Sequence, residues 1–189
     1  MNKTIKLGLI LLAFTVLAAG ILAFLNLQTR DIIAEVQVKA NNEARQEVLP
    51  SGKDFKELDE AAFTEAIKDT PNVEEIYEGT DGDVVGYTIK TVLSGYSGPV
   101  VVMTGIDTEG AITGMKVVSN TETPGLGANA SNPEFQEQYA GKSAEGEVEL
   151  VKNNPTDGQV QALTGATITS KTVTDSVNEA IKAYNNISK

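Results

Sequence analysis

Cysteine, histidine and tryptophan are all missing from this chain of 189 residues. Without Cys there is no disulfide, no thiolate nucleophile, no iron–sulfur cluster and no c-type haem attachment. Without His there is no imidazole metal ligand and no Ser–His triad. Any electron that this chain handles alone must therefore reside on an organic cofactor. Positive charge is also scarce: 15 Lys and Arg stand against 26 Asp and Glu, a net charge of −11. With no basic cluster beyond the extreme N-terminus, that balance argues against nucleic acid as a partner. There is no G-x-G-x-x-G fingerprint for a dinucleotide. The scattered acids form no paired-carboxylate constellation and no metal-ligand set, so no catalytic or metal residue is assigned.

Against these absences stands one long apolar run. Lys3 and Lys6 precede Leu7–Leu25, which is interrupted by little more than Gly8, Thr15 and Gly20. At about 1.5 Å per residue the run reaches across a bilayer core. Bases before it, with Arg30 and Asp31 behind it, predict a cytoplasmic N-terminus and an extracytoplasmic remainder. A cleaved signal peptide is the competing reading, but the apolar run continues through Ile21–Leu25 past the small residues Ala18–Ala19–Gly20, which favours a retained anchor. The expected division is a membrane anchor over residues 1–30, a stalk or docking helix over 31–52 and a domain over 53–189.

The apolar residues Ile33, Val36, Ala40, Ala44 and Val48 recur at helical steps until Pro50–Ser51–Gly52 stops them. Phe55, Leu58, Ala62, Phe63, Ala66 and Ile67 predict a second amphipathic helix. The period then changes to that of strands at Val84–Leu93, Val100–Ile106 and Ala111–Val118, separated by turn residues at Ser94–Gly98 and Asp107–Gly110. Three such runs in succession predict an antiparallel meander, which needs helices across one face. The fold class is therefore α+β, behind a single transmembrane helix.

Beyond the sheet, Ser119–Ala128 is rich in Gly and polar residues and reads as a shaped loop. Ser131 or Asn132 is expected to cap a short helix with Pro133 near its start, and a further strand is expected at Glu147–Lys152. The stretch Leu163–Ser170 packs hydroxyls around Gly165 and Ala166 just before a helical pattern at Val173, Val177, Ala180, Ile181 and Tyr184. Thr169 or Ser170 is the expected cap. A helix start also welcomes a phosphate, because its N–H groups are free and its dipole is positive there. Spacing alone favours a plain capped helix and does not settle the matter.

Thr164–Gly165–Ala166–Thr167, followed by Ile168–Thr169, resembles the flavinylation motif of the FMN-binding domain family. About 40 residues earlier, Glu122–Thr123–Pro124–Gly125–Leu126–Gly127 resembles a second segment of the same family. Gln161 stands where that family usually has an Asp before the motif. The family includes subunits of Rnf-type and Nqr-type ion-pumping respiratory complexes, and length brings this chain nearer the Rnf type. The resemblance implies FMN attached through its phosphate to Thr167 by a flavin transferase. It implies that Thr164, Gly165, Ala166 and Thr169 shape the phosphate end, and that Glu122, Thr123, Gly125 and Leu126 shape the ring side. It further implies electron relay from ferredoxin towards NAD, coupled to Na⁺ or H⁺ transport. The implied partners are other Rnf-type membrane subunits, especially a membrane-embedded flavin subunit, together with membrane lipid. An Nqr-type subunit and a flavin-free membrane-anchored scaffold are the alternatives.

Overall fold

The structure, a computed structural model, describes residues 3–187; the outermost ends of the expected anchor and domain, residues 1–2 and 188–189, lie outside the described residues. Helix α1 runs unbroken over Lys3–Val48. Its part up to Asn41 forms one compact unit, and the chain from Asn42 onward forms a second. In the first unit every residue from Lys3 to Lys39 is exposed. An 18-residue window of this helix has a mean hydropathy of 2.6, so α1 is long and apolar enough to cross a membrane.

The second unit is built on a five-stranded sheet in the order β1–β2–β3–β4–β5. These strands are β1 Asp54–Glu57, β2 Val73–Asp81, β3 Asp83–Ser94, β4 Pro99–Asp107 and β5 Ile112–Asn120, and each pairs antiparallel with the next. The expected meander is thus present, widened by two strands on one side.

Those added strands correct the expected helix over Phe55–Ile67. Helix α2 covers only Glu60–Ala66, because Asp59 accepts from the N–H groups of Ala61 and Ala62 at 3.1 and 3.0 Å and fixes the start there. Upstream of that cap, Phe55 lies in β1 and pairs with Gly79. In β2 the buried residues are Val73, Ile76 and Gly79, a spacing of three. Register shifts near both ends of the strand break the usual alternation, and this is why its sequence does not read as a strand.

Helix α4, Thr167–Ile187, lies across one face of the sheet. The residues expected on its inner face, Val173, Val177, Ala180, Ile181 and Tyr184, are all buried there with Ile89, Val102, Ile106 and Ile112. Between sheet and helix come the short α3, Pro133–Gln136, continued by a 3-10 turn through Tyr139, and a small parallel pair, β6 Glu149–Val151 and β7 Gln159–Gln161. Asn132 sits at the start of α3, but its side chain makes no capping bond, and the Ser131 hydroxyl accepts instead from Asn120 at 2.9 Å. Tyr139 is fully buried and shares a hydrogen bond with Thr174 at 2.8 Å. Burial pushes its phenol well above the ordinary range, so it stays neutral.

The opposite face of the sheet receives the end of α1. Ala44 and Val48 pack on Met103 and Val118. Arg45, only 4% exposed, lies over the Tyr77 ring at 3.6 Å and pairs with Glu75. The Val48 carbonyl has no helical partner and accepts from the Thr113 hydroxyl. Gly105 makes this approach possible, since a Cβ there would overlap that carbonyl. Gly105→Ala is accordingly expected to cost about 1–3 kcal/mol by overpacking, a fall in Tm of about 2–4 °C for each kcal/mol lost. An unchanged Tm would contradict the close approach.

Candidate functional site

Residue Gly165 adopts φ +76°, a left-handed conformation that reverses the chain just before α4. The Ala166 N–H then donates to the Leu163 carbonyl at 3.1 Å, and the Ser170 N–H donates to Ala166 at 2.9 Å as the first turn of the helix closes. The helix therefore starts earlier than the expected cap, and Thr169 and Ser170 lie inside its first turn. The Ser170 hydroxyl reaches back, accepting from the Leu163 N–H at 2.9 Å and donating to the Ala166 carbonyl at 3.0 Å. Thr167 is the first helical residue and is exposed. The N–H groups of Thr167, Ile168 and Thr169 have no acceptor within the helix.

The loop after β5 approaches this turn from the side. Gly125, at φ +79°, bends it, and the Leu126 and Ala128 N–H groups both donate to the Thr123 carbonyl, at 3.1 and 3.2 Å. Gly127 lies so close to α4 that a Cβ would overlap both Glu122 Oε2 and Thr169 Oγ1. Glu122 is buried, and Thr169 donates to its Oε2 at 2.5 Å while the Ser97 N–H donates to its Oε1 at 2.9 Å. Ser97 belongs to the turn between β3 and β4, so one carboxylate joins hairpin, loop and helix.

A cleft of about 420 Å³ opens among these segments. Of the residues expected at a site, Glu122, Thr123, Leu126, Gly165, Ala166, Thr167 and Thr169 line it together. Thr164 falls instead beside Phe135, Gln138 and Leu163 in a neighbouring hollow, and Gly125 shapes the loop without lining the cleft. Sequence reasoning missed Tyr96, Gly127 and Ile168, which also line it. The signal for Tyr96 was an aromatic residue inside a turn otherwise made of Ser and Gly. The signal for Ile168 was an apolar residue off the buried stripe of α4.

The cleft suits a phosphorylated, partly apolar ligand. Its volume lies within the ordinary range for small-molecule sites. One end offers unpaired helix N–H groups and an exposed hydroxyl; the walls offer Leu126, Ile168 and Tyr96, each exposed. Among the described residues, no lysine or arginine lines it, so an anion there would rely on backbone donors and the helix dipole. Among the described residues, no group of three or more acidic side chains gathers to hold a metal.

Comparison with known proteins centres on the same region. Residues 95–182 match the FMN-binding domain, a span that contains every residue lining the cleft, and residues 1–48 match the RnfG N-terminal region. Over 193 residues the chain is 45% identical to the G subunit of the Na(+)-translocating ferredoxin:NAD(+) oxidoreductase complex of Acetobacterium woodii, covering 97% of this chain and 93% of that one. It is 34% identical to the G subunit of the ion-translocating oxidoreductase complex of Methanosarcina acetivorans, covering 93% and 92%. Among solved structures, the C subunit of the Na(+)-translocating NADH-quinone reductase of Parabacteroides distasonis shares the fold, with a TM-score of 0.61 at 21% identity over 82% of this chain and 95% of that one.

The back-bonded Ser170 gives a direct check on the helix start. Ser170→Ala leaves the Leu163 N–H without its acceptor and is expected to lower the unfolding free energy by about 1–3 kcal/mol in chemical denaturation.

Proposed function

The chain belongs to the RnfG family of ion-translocating oxidoreductase complexes, and from that premise we propose that it relays electrons through FMN joined by its phosphate to Thr167. The observation that carries this reading is the placement of Thr167: an exposed hydroxyl on the first residue of α4, at the mouth of a cleft with apolar walls. A phosphoester there forms with net loss of one water, and a separate flavin transferase is the expected catalyst. FMN supplies a ring that takes up and releases electrons one at a time.

The chain's own residues do the holding. The first-turn N–H groups of Thr167, Ile168 and Thr169 face the phosphate end, where the positive end of the helix dipole favours negative charge. Gly165 and Ala166 keep side-chain bulk away from it, and Leu126 and Ile168 exclude water from the ring side. Thr123 offers a hydroxyl within the same cleft. Glu122 serves the site differently from the other expected ligands, because both of its oxygens are occupied by protein donors.

Covalent attachment makes occupancy independent of affinity, which suits a domain on the extracytoplasmic face where free flavin would diffuse away. On this reading residues 1–30 anchor the protein, 31–52 form a stalk and 53–189 carry the flavin. The donor and acceptor are other membrane subunits of the complex, a membrane-embedded flavin subunit foremost, and the lipid bilayer surrounds the anchor. Alone, the chain completes no reaction.

Intact mass and in-gel flavin fluorescence of the protein taken from its native membrane test the attachment. The wild type is expected to gain the mass of one FMN less water, with fluorescence that survives denaturation; Thr167→Ala is expected to lose both. An unmodified wild-type mass would overturn the reading. The absence of native Cys makes sidedness equally direct. Asp157→Cys, at an exposed position, is expected to react with a membrane-impermeant maleimide in intact spheroplasts. Labelling seen only after lysis would place the domain on the other side.

A further inference from the structure

Among the described residues beyond α1, the large apolar side chains left exposed are Val84, Tyr96, Leu126 and Ile168. All but Val84 line the same cleft. Tyr96 is the most exposed of them, at 71%. A solvent-facing tyrosine on a slack turn would mean little, but this turn is held on several sides. The Gly95 N–H donates to the Gly98 carbonyl at 2.7 Å, and the Thr172 hydroxyl of α4 donates to Ser94 at 3.1 Å. The Ser97 N–H donates to Glu122 at 2.9 Å, and Glu122 in turn holds Thr169. Gly95 lies so near Glu122 that a Cβ there would overlap its Oε1. The backbone on both sides of Tyr96 is therefore fixed to α4 while the phenol ring remains unpacked beside the cleft.

Exposing so large a ring forgoes the burial that aromatic side chains normally contribute. A fixed backbone, a free aromatic face and two aliphatic side chains across the same cleft together describe a wall that lacks a planar occupant. We propose that Tyr96 contacts the isoalloxazine ring of FMN in this cleft, and that Glu122 is the positioning residue that holds Tyr96 in place through the Ser97 N–H. This inference rests on the FMN reading above and extends it to a ring contact and its support.

The test uses the full chain, matured in its own membrane and purified in detergent. For each variant, intact mass reports flavin content and the emission per bound flavin reports contact, because a phenol against a flavin quenches its emission whereas a benzyl ring does not. Tyr96→Phe is expected to raise emission per flavin several-fold with the mass gain intact. Glu122→Ala is expected to raise it as well, by releasing the turn. Glu122→Gln keeps an acceptor for the Ser97 N–H and is expected to stay near the wild-type emission, which a general loss of stability would not reproduce. Tyr96→Phe stands alone as the decisive variant if Glu122→Ala fails to fold. Full flavin content with wild-type emission in Tyr96→Phe would overturn the ring contact. Loss of the mass gain in Tyr96→Phe, with an unchanged unfolding midpoint, would overturn it in favour of a role in transferase recognition. A wild type without flavin would overturn the FMN reading itself, and the ring contact with it.

Discussion

One buried carboxylate holds the cleft together. Glu122 takes a backbone N–H from a turn 25 positions earlier and a hydroxyl from a helix 47 positions later. Glu122 and Thr169 are both buried, and an unmet acceptor or donor in so enclosed a place costs about 1–3 kcal/mol. Hairpin, loop and helix therefore keep one relative arrangement. Gly95 and Gly127 fit the same arrangement from opposite sides, since each leaves the space that the carboxylate occupies. The hydroxyl density around the start of α4 follows from this constraint: Thr169 serves Glu122, Ser170 serves the backbone of the preceding turn, and Thr167 is left facing outward.

On the two faces of the sheet, different chemistry secures the helices. Helix α4 covers its side with an aliphatic stripe, to which Thr172 and Thr174 add hydrogen bonds to the β3–β4 turn and to Tyr139. The end of α1 meets the other side through backbone, at Gly105 and Gly114, and through a charged side chain stacked on an aromatic ring. The first arrangement tolerates repacking, as apolar cores generally do. The second does not, because a carbonyl seated against a glycine leaves no slack.

The legible parts of the fold were those where one period dominates. Strands β3, β4 and β5 are runs rich in Val, Ile and Thr bounded by turn residues, and Val173 through Tyr184 of α4 announce their buried face. Strand β2 escaped because its bulges displace the alternation, and β1 because Phe55 and Leu58 match a helical spacing that the Asp59 cap interrupts. At the site, the two motifs placed most of the lining, since their residues meet within the cleft. Tyr96 stayed hidden because no local pattern links a hairpin turn to a helix start so far along the chain. Glu122 was found, but its role was not. Only the structure shows a side chain whose oxygens both face protein.

The meander pairs neighbours in sequence, so its strands can zip together through short loops, whereas α4 must return across a long stretch of chain to cover them. The walls of the cleft come from both parts. A chain whose sheet formed before α4 docked would have no cleft, and its Thr167 would sit in an unformed turn. Any maturation enzyme that reads the assembled shape, rather than the bare motif, would act only on molecules whose folding has finished. If FMN is attached at Thr167 as proposed, that residue would thus double as a checkpoint, with incorporation of the redox group marking the molecules fit to enter the complex.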